Sequence, residues 1–237
     1  MNFVRIATAI VALGVCSHGS LGKPQKTEKA GKNPGFGQNL LKNAGAEEST
    51  EDTKKVPGWP AVDGFSVATY GSVGGEWDWG VAGCAQCGKQ YLRLSFEGET
   101  KLLSVSQTVD VGFAAREIDQ STVTARIWGQ LGGYVQGDTT SQLLASFQDE
   151  NGKELGVLGT DPVDSTKLSK PTVGGTSLMP VEKSGKVPPG TRKIVFTWKA
   201  IATGDSGAYI ALADNLGLEL SAGATYISTA PARMLRP

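Results

Sequence analysis

The segment 122–131, TVTARIWGQL, sets Val123, Ala125 and Ile127 on one side of an extended chain and Thr124, Arg126 and Trp128 on the other. A repeat of two marks a strand with one buried face. The pattern recurs at 65–70 (FSVATY), 91–96 (YLRLSF) and 104–111 (SVSQTVDV). It returns at 192–200 (RKIVFTWKA), where Ile194, Phe196 and Trp198 point inward. Segments 141–148 and 154–159 flank DENGK, and Asn-Gly between apolar runs signals a hairpin. Segment 209–220 (YIALADNLGLEL) reads as the last strand, and only 113–120 reads as helical. Regularly spaced strands without βαβ alternation predict one all-β domain, an antiparallel sandwich with jelly-roll crossings.

The ends set the compartment. MNFVR, then IATAIVALGVC, then SHGS follow the order of a secretory leader, expected to span 1–19, with a cut after Ser17 or Gly19. The apolar run 6–16 is shorter than the ~20 residues a membrane helix needs. Acylation of Cys16 is the competing reading. The Lys/Gly/Pro-rich segment 20–38 is expected to be a flexible linker, 39–221 the sandwich, and 222–237 a disordered tail. The expected location is therefore secreted or at the cell surface.

Charge and chemistry exclude several functions. With 23 basic and 23 acidic residues, the chain lacks the basic surface that nucleic acids require. Its single histidine, His18, lies at the expected cut. The mature chain then has no histidine for Ser-His-Asp or Cys-His catalysis. Cys84 and Cys87 remain, inside GEWDWGVAGCAQCG at 75–88. An even count in an oxidising compartment predicts a Cys84–Cys87 disulfide. A redox pair would need a helix start in a βαβ context. Two sulfurs alone do not complete a zinc site. The acids Glu76, Asp78 and Asp205 fall in no catalytic pattern, so no enzyme is expected.

In the last strand Asp214 shares parity with Ile210, Leu212, Leu216 and Leu218, which predicts a carboxylate on the core face. Such a group needs a cation, backbone amides or an arginine. The first strand is expected at 39–48, NLLKNAGAEE, which also runs into acids.

NLLKNAGAEE, then Gly58–Trp59, then ADN at 213–215 followed by LGLEL, resembles the galactose-binding-like jelly-roll carbohydrate-binding modules attached to bacterial xylanases and cellulases. The resemblance spans about 39–220. It implies a structural calcium ion held in part by the opening Glu, here Glu47, and the closing Asp, here Asp214. Calcium takes carboxylate and carbonyl oxygens. Ala46 departs from the family, which carries an aromatic there.

Sugars stack on aromatic faces beside hydrogen-bonding side chains. Trp128 on the polar side of its strand, with Arg126 and Gln130, is one candidate platform, and Tyr134 follows after Gly132 and Gly133. Trp77 and Trp79 in the glycine-rich loop are the second. The competing roles are a loop packed over Trp128 and a small hydrophobic cluster around Trp77 and Trp79. Trp59 and Trp198 are assigned to the core. The expected function is a secreted, non-catalytic protein that binds an extracellular or cell-wall polysaccharide. The alternative is a structural or protein-interaction module facing a cell-surface protein.

Overall fold

The computed structural model describes residues 35–48, 50–71, 87–96, 101–134, 138–168, 176–203 and 210–223, all within one compact unit, Asn33–Pro237. These residues form nine strands: β1 Phe65–Thr69, β2 Gln90–Ser95, β3 Leu102–Asp110, β4 Val123–Tyr134, β5 Thr139–Gln148, β6 Glu154–Gly159, β7 Thr176–Lys186, β8 Lys193–Ala202 and β9 Ile210–Ala222. One sheet has the order β1-β2-β9-β4-β7 and the other β3-β8-β5-β6. Every pair of these nine strands is antiparallel; an isolated parallel bridge joins Phe36 to Leu220 of β9. Within them β2 meets β9, β3 meets β8, β4 meets β7 and β5 meets β6. A long hairpin, β2 to β5 outward and β6 to β9 back, rolled into two sheets gives those four pairs. That is the jelly roll the alternation predicts. The expected helix shrinks to a 3₁₀ turn, Gly112–Ala114, and a single turn, α1 Ala115–Asp119.

The core lies between the sheets. Trp198, Phe196, Ile194 and Leu143 come from one side, and Ile127, Leu131, Leu92 and Leu94 from the other. The Trp198 indole N–H is satisfied inside the core, donating to Ser141 Oγ at 2.8 Å. Trp59 is also in the core, as expected.

Three features depart from the parity reading. First, 39–48 is no strand. Asn43 and Ala46 adopt φ of 45° and 58°, which breaks an extended run. Scattered backbone bonds to β9, such as Leu40 N to Leu218 O, are supplemented by a side chain: Asn39 Oδ1 accepts from Leu218 N and Asn39 Nδ2 donates to Leu216 O. Second, β7 is a strand the alternation does not reveal. It is an edge strand with Pro180 in its middle and a lysine-rich end, a composition tolerated only at sheet edges. Third, β9 contains a bulge. Trp128 faces Gly217 but Gln130 faces Asp214, so β9 carries one extra residue there. Asn215, at φ 46°, absorbs it.

The bulge flips the face. Leu216, Leu218 and Leu220 point into the core, and so do Ala211 and Ala213. Asp214, on the parity of Leu212, instead faces the outer side of the five-stranded sheet. There Leu212 packs with Tyr70, Tyr91 and Leu178 in a second apolar cluster. The expectation that Asp214 lies on the core face is thus corrected. It is nevertheless fully buried.

Gln107 fastens the N-terminal segment to edge strand β3. Its Oε1 accepts from Lys42 N at 2.9 Å and its Nε2 donates to Lys42 O at 2.7 Å. Gln107→Ala leaves both main-chain groups of Lys42 to find new partners. It is expected to cost about 1–3 kcal/mol. The measurement is a lower urea midpoint at unchanged slope.

Candidate functional site

Strand β4 lies on the outer face between the central strand β9 and the edge strand β7. Its odd-numbered residues Ile127 and Leu131 fill the core, so Arg126, Trp128 and Gln130 stand outward. The position opposite Trp128 on β9 is Gly217, and a Cβ built there would overlap the indole ring. The ring therefore lies flat against the β9 backbone. On β7, Glu182 is opposite Trp128. Glu182 Oε2 accepts from Arg126 Nη2 at 2.6 Å, and the guanidinium stands 4.6 Å from the centre of the Trp128 ring. Each partner's charged form is favoured: Arg126 is pushed up and Glu182 held down, chiefly by their mutual hydrogen bond.

Around this indole opens a cleft of about 500 Å³, within the range of small-molecule sites. Its polar lining is Asn39, Arg126, Gln130, Glu182 and Asn215. Glu182 is the single carboxylate among these lining residues. Arg126, Trp128 and Gln130 thus come together. Tyr134 does not join them: it sits at the far end of β4, opposite Thr176, beyond Gly132 and Gly133. Trp77, Trp79 and Cys84 lie outside the described residues, as do the expected leader and the tail from 224.

Behind the cleft, across the bulge, stands the second expected centre. Asp214 Oδ2 accepts from the Tyr70 hydroxyl at 2.8 Å, and Oδ1 accepts from Asn215 N at 2.6 Å. Burial raises the Asp214 pKa to about 6; the two hydrogen bonds pull it down and the charge of Glu47 pushes it further up. Burial, then the bond to Asp214, also pushes the Tyr70 phenol far above its usual value. Glu47 Oε1 accepts from Lys89 N at 2.8 Å and Gln90 N at 2.9 Å. A Cβ on Gly88 would overlap the Glu47 carboxylate, which explains the glycine closing the C-x-x-C-G run. Gly45 borders both groups: a Cβ there would lie 3.5 Å from Asp214 Oδ1 and 4.0 Å from Glu47 Cγ, ordinary contact distances.

Among the described residues no Lys or Arg pairs with Glu47 or Asp214. Two neighbouring carboxylates, one fully buried, thus stand without a counter-charge among the described residues and are met there by the backbone amides of Lys89, Gln90 and Asn215. No group of three or more His, Cys, Asp or Glu side chains is placed to ligate a metal among those residues. Cys87 borders this centre through Asn215, whose Nδ2 lies 3.9 Å from the sulfur.

The lining residues that sequence reasoning did not assign to the cleft include Asn39, Asn215, Pro180 and Glu182. Asn39 and Asn215 belong to the opening and closing motifs, so they carried a signal. Pro180 and Glu182 sit on the unexpected strand β7 and carried none.

No protein-family model matches the chain, and no curated protein sequence matches it. Solved structures resemble it in fold. A family 16 carbohydrate-binding module is 17% identical, with a TM-score of 0.43, over 76% of this chain and 99% of that one. A cyclase from Fischerella sp. in its apo form is 17% identical, with a TM-score of 0.49, over 79% of this chain and 97% of that one. The enzymatically active domain of tailspike protein 4 from bacteriophage CBA120 is 13% identical, with a TM-score of 0.46, over 77% of this chain. The chain spans about a fifth (21%) of that tailspike domain's length. Likeness at these identities concerns chain path, and function has to be read from this chain's own residues. Among the described residues, no helix is long and apolar enough to cross a membrane.

Proposed function

We propose that the chain is a secreted, non-catalytic carbohydrate-binding protein that takes an extracellular or cell-wall glycan in the Trp128 cleft. The observation that carries this reading is the Trp128 indole, laid flat on the backbone at Gly217 and ringed by Gln130, Asn39, Asn215 and Glu182. A pyranose presents an apolar C–H face and a rim of hydroxyls, and this arrangement offers a partner for each. The sugar takes the place that Arg126 holds over the ring. The bond to Glu182 is made from that same covering position, so a sugar must move the guanidinium off the ring.

A binding role fits better than catalysis. Glycoside hydrolysis uses two carboxyl groups flanking the bond. Here Glu182 faces the cleft, and Arg126 holds its acidity in the ionised range, which makes it a poor proton donor. Asp214 has the raised pKa of an acid, but it is buried, and each of its oxygens accepts a hydrogen bond.

A structural calcium ion belongs to the same proposal. Glu47 and Asp214 would hold it, and it would neutralise a buried carboxylate at the point where the N-terminal segment meets β9. A Cys84–Cys87 disulfide is proposed beside it, supported by Cys87 not standing as a free thiol. Secretion is supported by the leader pattern at 1–19.

One observation favours the second reading, an interaction module without sugar binding at the surface of a protein partner. The Arg126 guanidinium covers the Trp128 ring that a sugar would need. The experiment is retention of the mature chain on insoluble polysaccharides and a glycan array, in calcium and in chelator. Selective retention that weakens in chelator is expected. No retention anywhere by folded, calcium-loaded protein would move the assignment to the interaction module.

A further inference from the structure

Strand β7 has β4 on one side and no strand on the other among the described residues. Pro180, Val181 and Glu182 of this strand line the Trp128 cleft on the outer face. The same three residues line a second cleft of about 350 Å³ on the flank of the sandwich. The far wall of that cleft is the segment after β6, with Thr160, Asp161 and Lys167. The two clefts meet over one rim.

The rim suits a chain lying across it. Pro180 is exposed and has no N–H to offer a further strand, so it discourages edge pairing and presents ring C–H surface instead. Lys167 Nζ donates to Pro162 O at 2.6 Å, which holds an ammonium at the flank with donors to spare. Asp161 supplies acceptors. Along the path the fixed charges cancel: Arg126 and Lys167 against Glu182 and Asp161. Such a track offers hydrogen bonds of both senses and no net field, which matches a hydroxyl-rich neutral polymer and not a polyanion.

We propose that the two clefts are subsites of one site that holds the interior of an uncharged glycan chain, running from Trp128 over Pro180 to Asp161 and Lys167. This rests on the carbohydrate-binding reading of Trp128. It adds a second subsite, a direction across the sheet edge, and recognition of chain interiors in place of chain ends.

Titration calorimetry with β-1,4-linked gluco-, manno-, xylo- and galacto-oligosaccharides, from dimers to hexamers, tests it. For whichever series binds, affinity is expected to rise at least about tenfold from dimer to hexamer. The double variant Asp161→Ala/Lys167→Ala should leave dimer binding within about twofold and remove the gain with length. Both side chains are on the surface, and an unchanged melting temperature checks the fold. Equal affinity at all lengths, or an equal loss for dimer and hexamer in the variant, overturns the second subsite and leaves the Trp128 reading standing. Binding only of uronic-acid polymers overturns the uncharged class. Absence of binding by every oligosaccharide and by the parent polysaccharides overturns both.

Discussion

Asp214→Ala is expected to lower the stability of the domain by about 2–4 kcal/mol, because it strips partners from the Tyr70 hydroxyl and the Asn215 amide in a buried place. Asp214→Asn should behave in the opposite way in calcium-free buffer. The Asp214 pKa is raised from 3.8 to about 6, so the carboxylate is held in the fold in its less comfortable, ionised form at neutral pH. A raised folded pKa gives stability that is fully present below the unfolded pKa. That stability is lost as pH rises through the folded one. Between pH 5 and 7.5 the wild-type chain in chelator should therefore lose roughly 1–2 kcal/mol. The lowered acids Asp119, Asp164 and Glu182 do not contribute, since they stay ionised across that window. Asp214→Asn should flatten the profile and match or exceed wild type at pH 7.5. Calcium should stabilise wild type at pH 7.5, by about 2.7 kcal/mol at a hundredfold excess over Kd, and leave Asp214→Asn unmoved. Thermal unfolding against pH and calcium reads all of this. A flat wild-type profile with no calcium response would mean that another group already compensates the buried charge.

The sequence made the sandwich legible wherever a strand has one buried and one wet face. In β4 as far as Gln130, in β5 from Ser141 and throughout β8, buried positions alternate with half-buried ones, and the strands stand where the period of two puts them. It failed at β7, because an edge strand with Pro180 and a polar end does not need alternation. It failed more instructively at β9. Counting parity assumes a regular pleat, and a single residue in the left-handed region, Asn215, moves every later side chain to the other face. Asp214 drew attention as a misplaced acid, but the reason was wrong: it is buried under Tyr70 on the outer face. The N-terminal segment shows the third limit. Asn39 binds β9 through its side-chain amide, a backbone substitute that periodicity does not register. Within the cleft, the outward residues of β4 could be read from one strand alone. Glu182 and Pro180 could not, because they reach Trp128 by cross-strand register and not by sequence proximity.

Gly217→Ala is expected to reduce glycan binding about as much as Trp128→Ala, although it leaves every group of the cleft chemically intact. The methyl would occupy the space of the indole, so the ring must leave the β9 backbone and tilt into solvent. A stacking platform works through area presented in one orientation, and a side chain free to rotate must be ordered again on binding. Loss of a central aromatic anchor costs 2 kcal/mol or more at a binding site, so at least about a thirtyfold fall in affinity is expected for either variant. The stability effects should be smaller. Trp128 is half-buried, and freeing it removes packing against Gly217 and the contact with Arg126, together about 1–2 kcal/mol. Calorimetry or affinity electrophoresis against the retained polysaccharide, beside a denaturant melt of each variant, separates the two quantities. If Trp128→Ala abolishes binding while Gly217→Ala preserves it, the indole acts as bulk and not as an oriented face. If both variants bind as wild type does, the ligand lies elsewhere and the cleft is a surface feature of an interaction module. If both lose binding with melts close to wild type, the glycine opposite the tryptophan is part of the site. It is a residue chosen for the side chain it lacks, and the cross-strand pair Trp128–Gly217 becomes the feature by which such a platform can be sought in other jelly rolls.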